Sequence, residues 1–161
     1  MNRSIKRSLS LLLILCLALS LGACGNGGDA ASGASSAAPD LDGLFTELSA
    51  LCGEAAVDID HANAAGLYGV EESEVFACRA AGGVSADEAT IFQCADETRA
   101  AEVLAIAETR LADQAESYAD YLPEEAVKLQ NAAAVRSGSV VAVCVCADAE
   151  KAAELIRNYL G

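Results

Sequence analysis

The feature that most constrains the fold of this chain is a pattern of two strands and a helix that occurs twice in succession. Alternating apolar and polar residues predict each pair of strands, and apolar residues at helical spacing follow each pair. The predicted segments are strands 74–80 and 88–95 with helix 97–121, and strands 132–136 and 140–147 with a helix from 149 onward. Asp96 and Asp148 are placed to cap these helices, and Pro123 to start a short helix between the units. Two such units predict an α+β fold with a four-stranded, largely antiparallel sheet and helices packed on it.

An additional helix is predicted before these units. Apolar residues recur at helical spacing from Leu41 to Leu51, and Asp40 can cap the start of this N-terminal helix. Residues 53–70 show no clear periodicity and are predicted to be irregular. The strand at 140–147 is apolar on both faces, which is typical of a central strand covered on both sides. We expect the N-terminal helix to cover its second side, and a partner protein is the alternative.

The N-terminal segment has the three-part pattern of a lipoprotein export signal. Three basic residues come first, an apolar run occupies residues 9–21, and Leu-Gly-Ala-Cys closes the segment at Cys24. We predict cleavage after Ala23 and attachment of diacylglycerol to the Cys24 thiol. A permanent transmembrane helix is disfavoured, because the run is shorter than the roughly 20 residues needed to span a bilayer. Ordinary secretion after cleavage at a small-residue site is the other alternative.

These boundaries divide the chain into three parts. Residues 1–23 form the signal peptide, residues 24–40 form the lipidated cysteine with a flexible Gly/Ser/Ala tether, and residues 41–161 form one α+β domain. Removing the signal takes the formal net charge from −14 to −17, because the removed segment carries three cations and no anions. A chain this acidic is repelled by nucleic acid, which is therefore not expected as a partner. The predicted location is the extracytoplasmic face of the cell membrane, with diacylglycerol as the membrane contact.

Polar residues of the long helix form a candidate ligand groove. At 100° per residue, four of them lie within about 60° of one another. They are Arg110, Gln114, Ser117 and Tyr121. Asp87 and Glu88 open the second strand and could meet this stripe. The candidate residues for binding a small ligand or a peptide are Asp87, Glu88, Arg110, Gln114 and Tyr121. Alternatively, Arg110 pairs with Glu88 or Asp87 and ties the hairpin to the helix as a structural contact.

Five cysteines belong to the predicted domain: Cys52, Cys78, Cys94, Cys144 and Cys146. An odd number argues against a complete disulfide framework in an exported chain. Cys78 and Cys94 lie in the paired strands of the first hairpin and form the one plausible bridge. Cys144 and Cys146 point the same way along one strand, at a separation that suits neither a bridge nor a strong metal motif. The alternative is that all five are buried free thiols.

The residues of common metal and catalytic centres are not assembled in this sequence. His61 is the one histidine, and the aspartates beside it could hold a divalent metal only weakly. No second histidine or suitably spaced cysteine supports a zinc site, so a solvated loop is expected there. The chain has no nucleophile elbow, no phosphate-cradling loop and no dinucleotide fingerprint. We therefore predict neither a metal nor a cofactor.

The motifs of the domain resemble the bacterial lipoprotein family known as domain of unknown function 4358. The matching residues are Leu67-Tyr68-Gly69-Val70, Ala86-Asp87-Glu88 leading into Thr90-Ile91-Phe92, Arg110 and Gln114, Tyr121-Leu122-Pro123-Glu124-Glu125, and the Gly138 hairpin. The similarity covers about residues 41–161. The resemblance implies a small α+β domain on a lipid anchor, and it implies no activity because none is established for the family.

Together, these observations predict a lipid-anchored binding or accessory domain at the cell envelope rather than an enzyme. Tethering would raise its effective concentration near a protein or small-ligand partner at the membrane. The alternatives are an envelope hydrolase that uses paired carboxylates and a purely structural envelope lipoprotein. Two carboxylates clustered in a concave site, with one kept protonated, would favour the hydrolase.

Overall fold

The computed structural model describes residues 38–161, and the elements below belong to this part of the chain. Its five α-helices are α1 (Leu41–Ser49), α2 (His61–Tyr68), α3 (Glu97–Tyr118), α4 (Pro123–Gln130) and α5 (Ala149–Leu160). Its five strands are β1 (Val57–Ile59), β2 (Val75–Ala80), β3 (Glu88–Gln93), β4 (Ala133–Ser137) and β5 (Val140–Val145). A 3₁₀ turn, Glu72–Glu74, precedes β2.

The predicted export signal lies outside the described residues. The same holds for the predicted cleavage after Ala23, the predicted lipidation of Cys24 and the predicted tether up to residue 37. Within residues 38–161, no helix has the length and apolar character needed to cross a membrane.

The five strands form one antiparallel sheet in the order β1-β2-β3-β5-β4. The α+β class and both predicted hairpins are confirmed, but the sheet has five strands instead of four. The additional strand β1 runs along β2, with Val57 opposite Ala80 and Ile59 opposite Cys78. Because β1 and α2 both lie in segment 53–70, the prediction that this segment is irregular is wrong.

Aspartates begin the main helices, as the sequence predicts. The side chains of Asp40, Asp96 and Asp148 accept hydrogen bonds from backbone N–H groups three residues later, at 2.9, 2.8 and 3.0 Å. Each bond satisfies one of the backbone donors that the first helical turn leaves unpaired. Pro123 begins α4, where its missing N–H group is not needed. Helix α3 ends at Tyr118, three residues earlier than predicted.

The sheet lies between two layers of helices, because successive strand residues point to opposite faces. On the front face, Phe92 and Val143 pack against α2 and α3. On the rear face, Ile91 and Cys144 pack against α1 and α5. Every residue of β5 is buried, so the prediction of a strand covered on both sides is confirmed. The N-terminal helix does cover the rear face, through leucines such as the fully buried Leu44.

The possible disulfide between Cys78 and Cys94 is not formed, and both residues are free thiols. The strand register explains this result. Cys78 lies opposite Thr90, and Cys94 follows four residues later, beyond the end of β3. At about 3.3 Å per residue this offset amounts to roughly 13 Å. The Cα atoms of a disulfide are at most about 7 Å apart, so the pair is out of reach.

A salt bridge holds Glu74, the residue directly before β2, against α3. The Glu74 carboxylate accepts hydrogen bonds from the Arg99 guanidinium at 2.6 and 2.9 Å and from the Glu71 backbone N–H at 2.9 Å. The hydrogen bonds from Arg99 lower the pKa of Glu74 below its ordinary value of 4.5, although burial acts in the opposite direction. The ionised form of Glu74 is therefore favoured by folding.

Because of this salt bridge, we expect the folded protein to lose stability in acid. Because its folded-state pKa is lowered, Glu74 stabilises the fold fully above its ordinary pKa of 4.5, and this contribution disappears as the pH falls through the folded-state value. Urea unfolding curves recorded between about pH 7 and about pH 3 should show weaker acid destabilisation for Glu74→Gln than for the wild type. The matched control is Glu102→Gln, because Glu102 also contacts Arg99 but its side chain is 59% exposed. Equal acid sensitivity of Glu74→Gln and the wild type would contradict the prediction.

Candidate functional site

A buried carboxylate joins the front face of the sheet to α2 and α3. Glu88, the first residue of β3, is 3% exposed. Its carboxylate accepts hydrogen bonds from the Tyr68 hydroxyl, from the Thr90 hydroxyl at 2.9 Å and from the Arg110 guanidinium at 2.9 Å. The Arg110 guanidinium also lies over the Tyr68 ring, 4.4 Å from the ring centre, which is a favourable cation–π geometry. Arg110 therefore makes the contact with Glu88 that the sequence suggested as a structural alternative to ligand binding.

Burial and the charge of Glu88 set the protonation states in this network. Burial raises the pKa of Tyr68 well above its usual range, and the negative charge of Glu88 adds to the effect. Burial opposes the charge of Arg110 and is the largest single effect, but attraction by Glu88 and Tyr68 and the hydrogen bond to Glu88 act together in the other direction, and the pKa of Arg110 is raised. Tyr68 and Arg110 therefore both keep their protons and act as donors to the carboxylate.

An open groove of about 610 Å³ runs along α3 beside this network. Helix α2 contributes Leu67, and α3 contributes the other lining residues. They include Ile106, Arg110, Asp113, Gln114 and Ser117. The groove thus places apolar side chains next to hydrogen-bond donors and acceptors. Three of the four residues in the predicted helical stripe, Arg110, Gln114 and Ser117, come together here.

Gln114 lines this groove and also carries a buried polar atom without a partner. Its side-chain oxygen makes no hydrogen bond, and among the buried side-chain oxygen and nitrogen atoms of residues 38–161 only the Ser49 hydroxyl shares this state. Buried polar atoms are nearly always paired, because an unpaired one costs about 1–3 kcal/mol. Rotation of the Gln114 side chain towards the groove would let a ligand N–H or O–H group pair with this oxygen and remove that cost.

Asp87 does not join the groove, although it was predicted to do so with Glu88. Adjacent residues of an extended chain point to opposite sides, and the Asp87 carboxylate instead contacts the Lys128 ammonium of α4 at 3.1 Å. Lys128 also pairs with Glu125 at 2.9 Å. The second carboxylate oxygen of Glu125 accepts a hydrogen bond from the Ala86 backbone N–H at 2.8 Å. This second cluster fastens the loop between β2 and β3 to α4.

Tyr121 also lies outside the groove. It follows the end of α3, where helical spacing no longer applies, and it is 58% exposed. Its ring stacks on that of Tyr118, with 5.2 Å between the ring centres. The Tyr118 hydroxyl donates a hydrogen bond to the Ser85 carbonyl at 3.4 Å. Tyr121 therefore belongs to an aromatic pair beside the loop between β2 and β3.

The sequence prediction missed several residues of the site, among them Leu67, Tyr68 and Asp113. Leu67 lines the groove and is 47% exposed, and Tyr68 is the buried partner of Glu88. Both belong to the segment that resembles the family, which was the signal that could have identified them. Asp113 lies three residues after Arg110 and four before Ser117, so helical spacing alone places it beside the predicted stripe.

The surroundings of His61 differ from the expected solvated loop. His61 is exposed and is the first residue of α2. Asp60 caps this helix by accepting a hydrogen bond from the Asn63 backbone N–H at 3.0 Å. That bond lowers the pKa of Asp60. Within the described part of the chain, no group of three or more His, Cys, Asp and Glu side chains is arranged to hold a metal ion.

The fold and the site define a small α+β domain in which an antiparallel sheet lies between two helical layers and carries a mixed polar and apolar groove on its front side. The chain belongs to the family described as Domain of unknown function (DUF4358), whose model matches residues 53–146. This segment contains the whole sheet, the Glu88 network and the groove. Comparisons with curated proteins and with solved structures found no match.

Proposed function

We propose that this protein is a lipid-anchored recognition domain at the extracytoplasmic face of the cell membrane and that it acts by binding rather than by catalysis. Its anchor would be diacylglycerol on Cys24, which would become the first residue of the protein after cleavage after Ala23. The bound molecule would be a small ligand or a short peptide segment held in the groove along α3. The export pattern of the sequence supports the location, and the groove supports the binding function.

The unpaired oxygen of Gln114 carries the binding proposal. An acceptor that is buried without a partner destabilises the free protein, and a ligand donor would reverse this effect. Leu67 and Ile106 supply apolar surface in the same groove. A ligand that carries an N–H group next to an apolar group therefore matches the lining.

Arg110 adds a donor to this arrangement. Its guanidinium has five N–H groups, and it reaches the groove while it holds Glu88. Arg110 and Gln114 are four residues apart on α3 and are therefore neighbours on the helix surface. One peptide group can offer its N–H to Gln114 and its carbonyl to Arg110. This pairing favours a peptide or another amide-containing ligand.

The distribution of carboxylates favours binding over the hydrolase alternative. Among the described residues, the groove is lined by one carboxylate, that of Asp113. A paired-carboxylate mechanism requires a second one within reach of the same substrate. Asp87 and Glu125 both contact the Lys128 ammonium and lie outside the groove, so neither of them shares a substrate site with Asp113.

Replacing Gln114 with Leu tests the binding proposal. The substitution should raise the free energy of unfolding by about 1 kcal/mol, because it removes the unpaired buried oxygen. It should also weaken binding of N-acetylated, C-amidated tripeptides by about tenfold, which corresponds to about 1.4 kcal/mol. Backbone amide shifts in an NMR titration of the wild type should map to α2 and α3.

The matched control is Gln130→Leu, because Gln130 is exposed at the end of α4. This variant should leave both the stability and the peptide-induced shifts unchanged. Two results would count against ligand binding in the groove. One is unaltered peptide binding by Gln114→Leu, and the other is a set of shifts that maps away from α2 and α3.

A further inference from the structure

One carboxylate in the groove along α3 has no cationic partner within the described part of the chain. Asp113 lines the groove and is exposed. No salt bridge among residues 38–161 involves it. One turn further along the helix, Glu116 is a second exposed carboxylate. Asp113 therefore brings a negative charge to the groove that no neighbouring side chain compensates.

Arg110 lines the same groove, but its positive charge is already balanced. Its guanidinium contacts the Glu88 carboxylate at 2.9 Å, and the two side chains are 14% and 4% exposed. The pair stays together because separation would leave Glu88 buried without its cation. The next basic residue along the chain, Lys128, is paired with Asp87 and Glu125. The groove therefore has a net negative charge although an arginine lines it.

The apolar surface of the groove lies at a defined distance from this charge. Ile106 precedes Asp113 by seven residues, which places the two on the same face of α3 and about 10 Å apart along its axis. Leu67 of α2 adds apolar surface to the groove and is half-exposed. An apolar area and a free carboxylate are thus presented together to one ligand.

We propose that the groove selects peptide segments in which a lysine or arginine and an apolar residue are two positions apart, and that Asp113 sets this preference. Alternate residues of an extended peptide point the same way, about 7 Å apart. The apolar side chain would contact Ile106 and Leu67, and the cationic group would pair with Asp113. The long stem of the basic side chain covers the remaining distance. This inference rests on the proposed binding function and adds the chemical class of the ligand.

The charge of the whole chain acts in the same direction. Its formal net charge of −14 attracts cationic ligands and repels anionic ones before they reach the groove. Such an attraction is spread over the surface and does not depend on any single carboxylate. A test of Asp113 must therefore compare it with another acidic residue of the same helix that lies outside the groove.

An NMR titration of the full chain in a non-ionic detergent with three peptides tests the inference. The peptides are acetyl-Leu-Ala-Lys-amide and its counterparts with Gln or Glu in the third position. At about 20 mM salt the Lys peptide should bind about three to five times more tightly than the Gln peptide, which is the effect of one exposed ion pair. The Glu peptide should bind most weakly. At about 500 mM salt the three affinities should converge, because exposed charges are screened.

Two variants of Asp113 and one matched control assign the preference to this residue. Asp113→Asn should bring the ratio of the Lys and Gln affinities to about one, and Asp113→Lys should make the Glu peptide the tightest ligand. Glu108→Gln removes the same charge from α3, but Glu108 lines a separate cleft between α3 and α4. This control should keep the wild-type ratio. Circular dichroism confirms that each variant is folded.

The possible failures of the inference and of the proposed function are distinguishable. Equal binding of the three peptides by the wild type at low salt would overturn the inference alone. The same holds for an unchanged ratio in Asp113→Asn, or for an equal fall of the ratio in Glu108→Gln. If none of the peptides shifts the amide signals of α2 and α3, the proposed function is overturned together with the inference.

Discussion

Replacing Arg110 with Ala is expected to lower the free energy of unfolding by about 3–5 kcal/mol. The Glu88 side chain is 4% exposed and that of Arg110 is 14% exposed, with 2.9 Å between them. Removing the guanidinium leaves the Glu88 carboxylate buried without its cation and also removes the contact with the Tyr68 ring. Urea unfolding followed by circular dichroism measures this loss.

The matched control is Arg79→Ala. Arg79 also forms a salt bridge at 2.8 Å, but its partner Asp58 is 79% exposed. Exposed pairs contribute up to about 1 kcal/mol, so this variant should lose far less stability than Arg110→Ala. A similar loss in both variants would show that the buried pair has no special importance. Strong destabilisation by Arg110→Ala with unchanged peptide binding would remove Arg110 from the binding site.

Replacing Cys24 with Ala is expected to abolish the lipidated form of the protein completely. The thioether to diacylglycerol requires the thiol, and the bond must form before the signal peptide is cut. The variant should therefore accumulate with residues 1–23 still attached. Mass spectrometry of the N-terminal peptide of protein from membranes distinguishes the two forms. The wild type should begin at a diacylglycerol-modified Cys24, whose two chains give stable membrane anchoring at about 0.8 kcal/mol per buried methylene.

Cys16→Ala provides the matched control for this experiment. Cys16 lies within the apolar run of the predicted signal and would be removed with it, so the variant should be processed and lipidated like the wild type. An unmodified Cys24 thiol on wild-type protein would overturn the anchoring proposal. Such a result would leave the binding proposal for the groove untouched, because that proposal concerns the folded domain.

Strong periodic patterns made most of the fold predictable. The two hairpins, the capped helices and the doubly covered β5 all follow from regular spacing of apolar residues. The two elements that the sequence did not predict, β1 and α2, lack such a pattern. Strand β1 has only three residues, two of them exposed, and it forms through pairing with β2. Helix α2 is rich in alanine and contains Gly66, so it shows no clear apolar stripe.

The candidate site was predictable only where one regular element determines the geometry. Arg110, Gln114 and Ser117 lie together because a single helix carries them. Tyr121 was predicted to lie in the groove but does not, because the helix ends three residues before it. Asp87 was also predicted to lie in the groove but does not, because adjacent side chains of an extended chain point to opposite sides and its carboxylate points away from that of Glu88. Contacts between elements, such as Tyr68 with Glu88, depend on packing that spacing along one segment cannot reveal.

The short strand β1 bears on how copies of this domain would behave when crowded side by side on a surface. A long unpaired strand at the border of a sheet invites another chain to add to it. Here one border is only three residues long and carries the charged Asp58 in its middle. The opposite border, β4, packs against α3 and α5. Strand addition at the β1 border is therefore disfavoured between neighbouring copies of the domain.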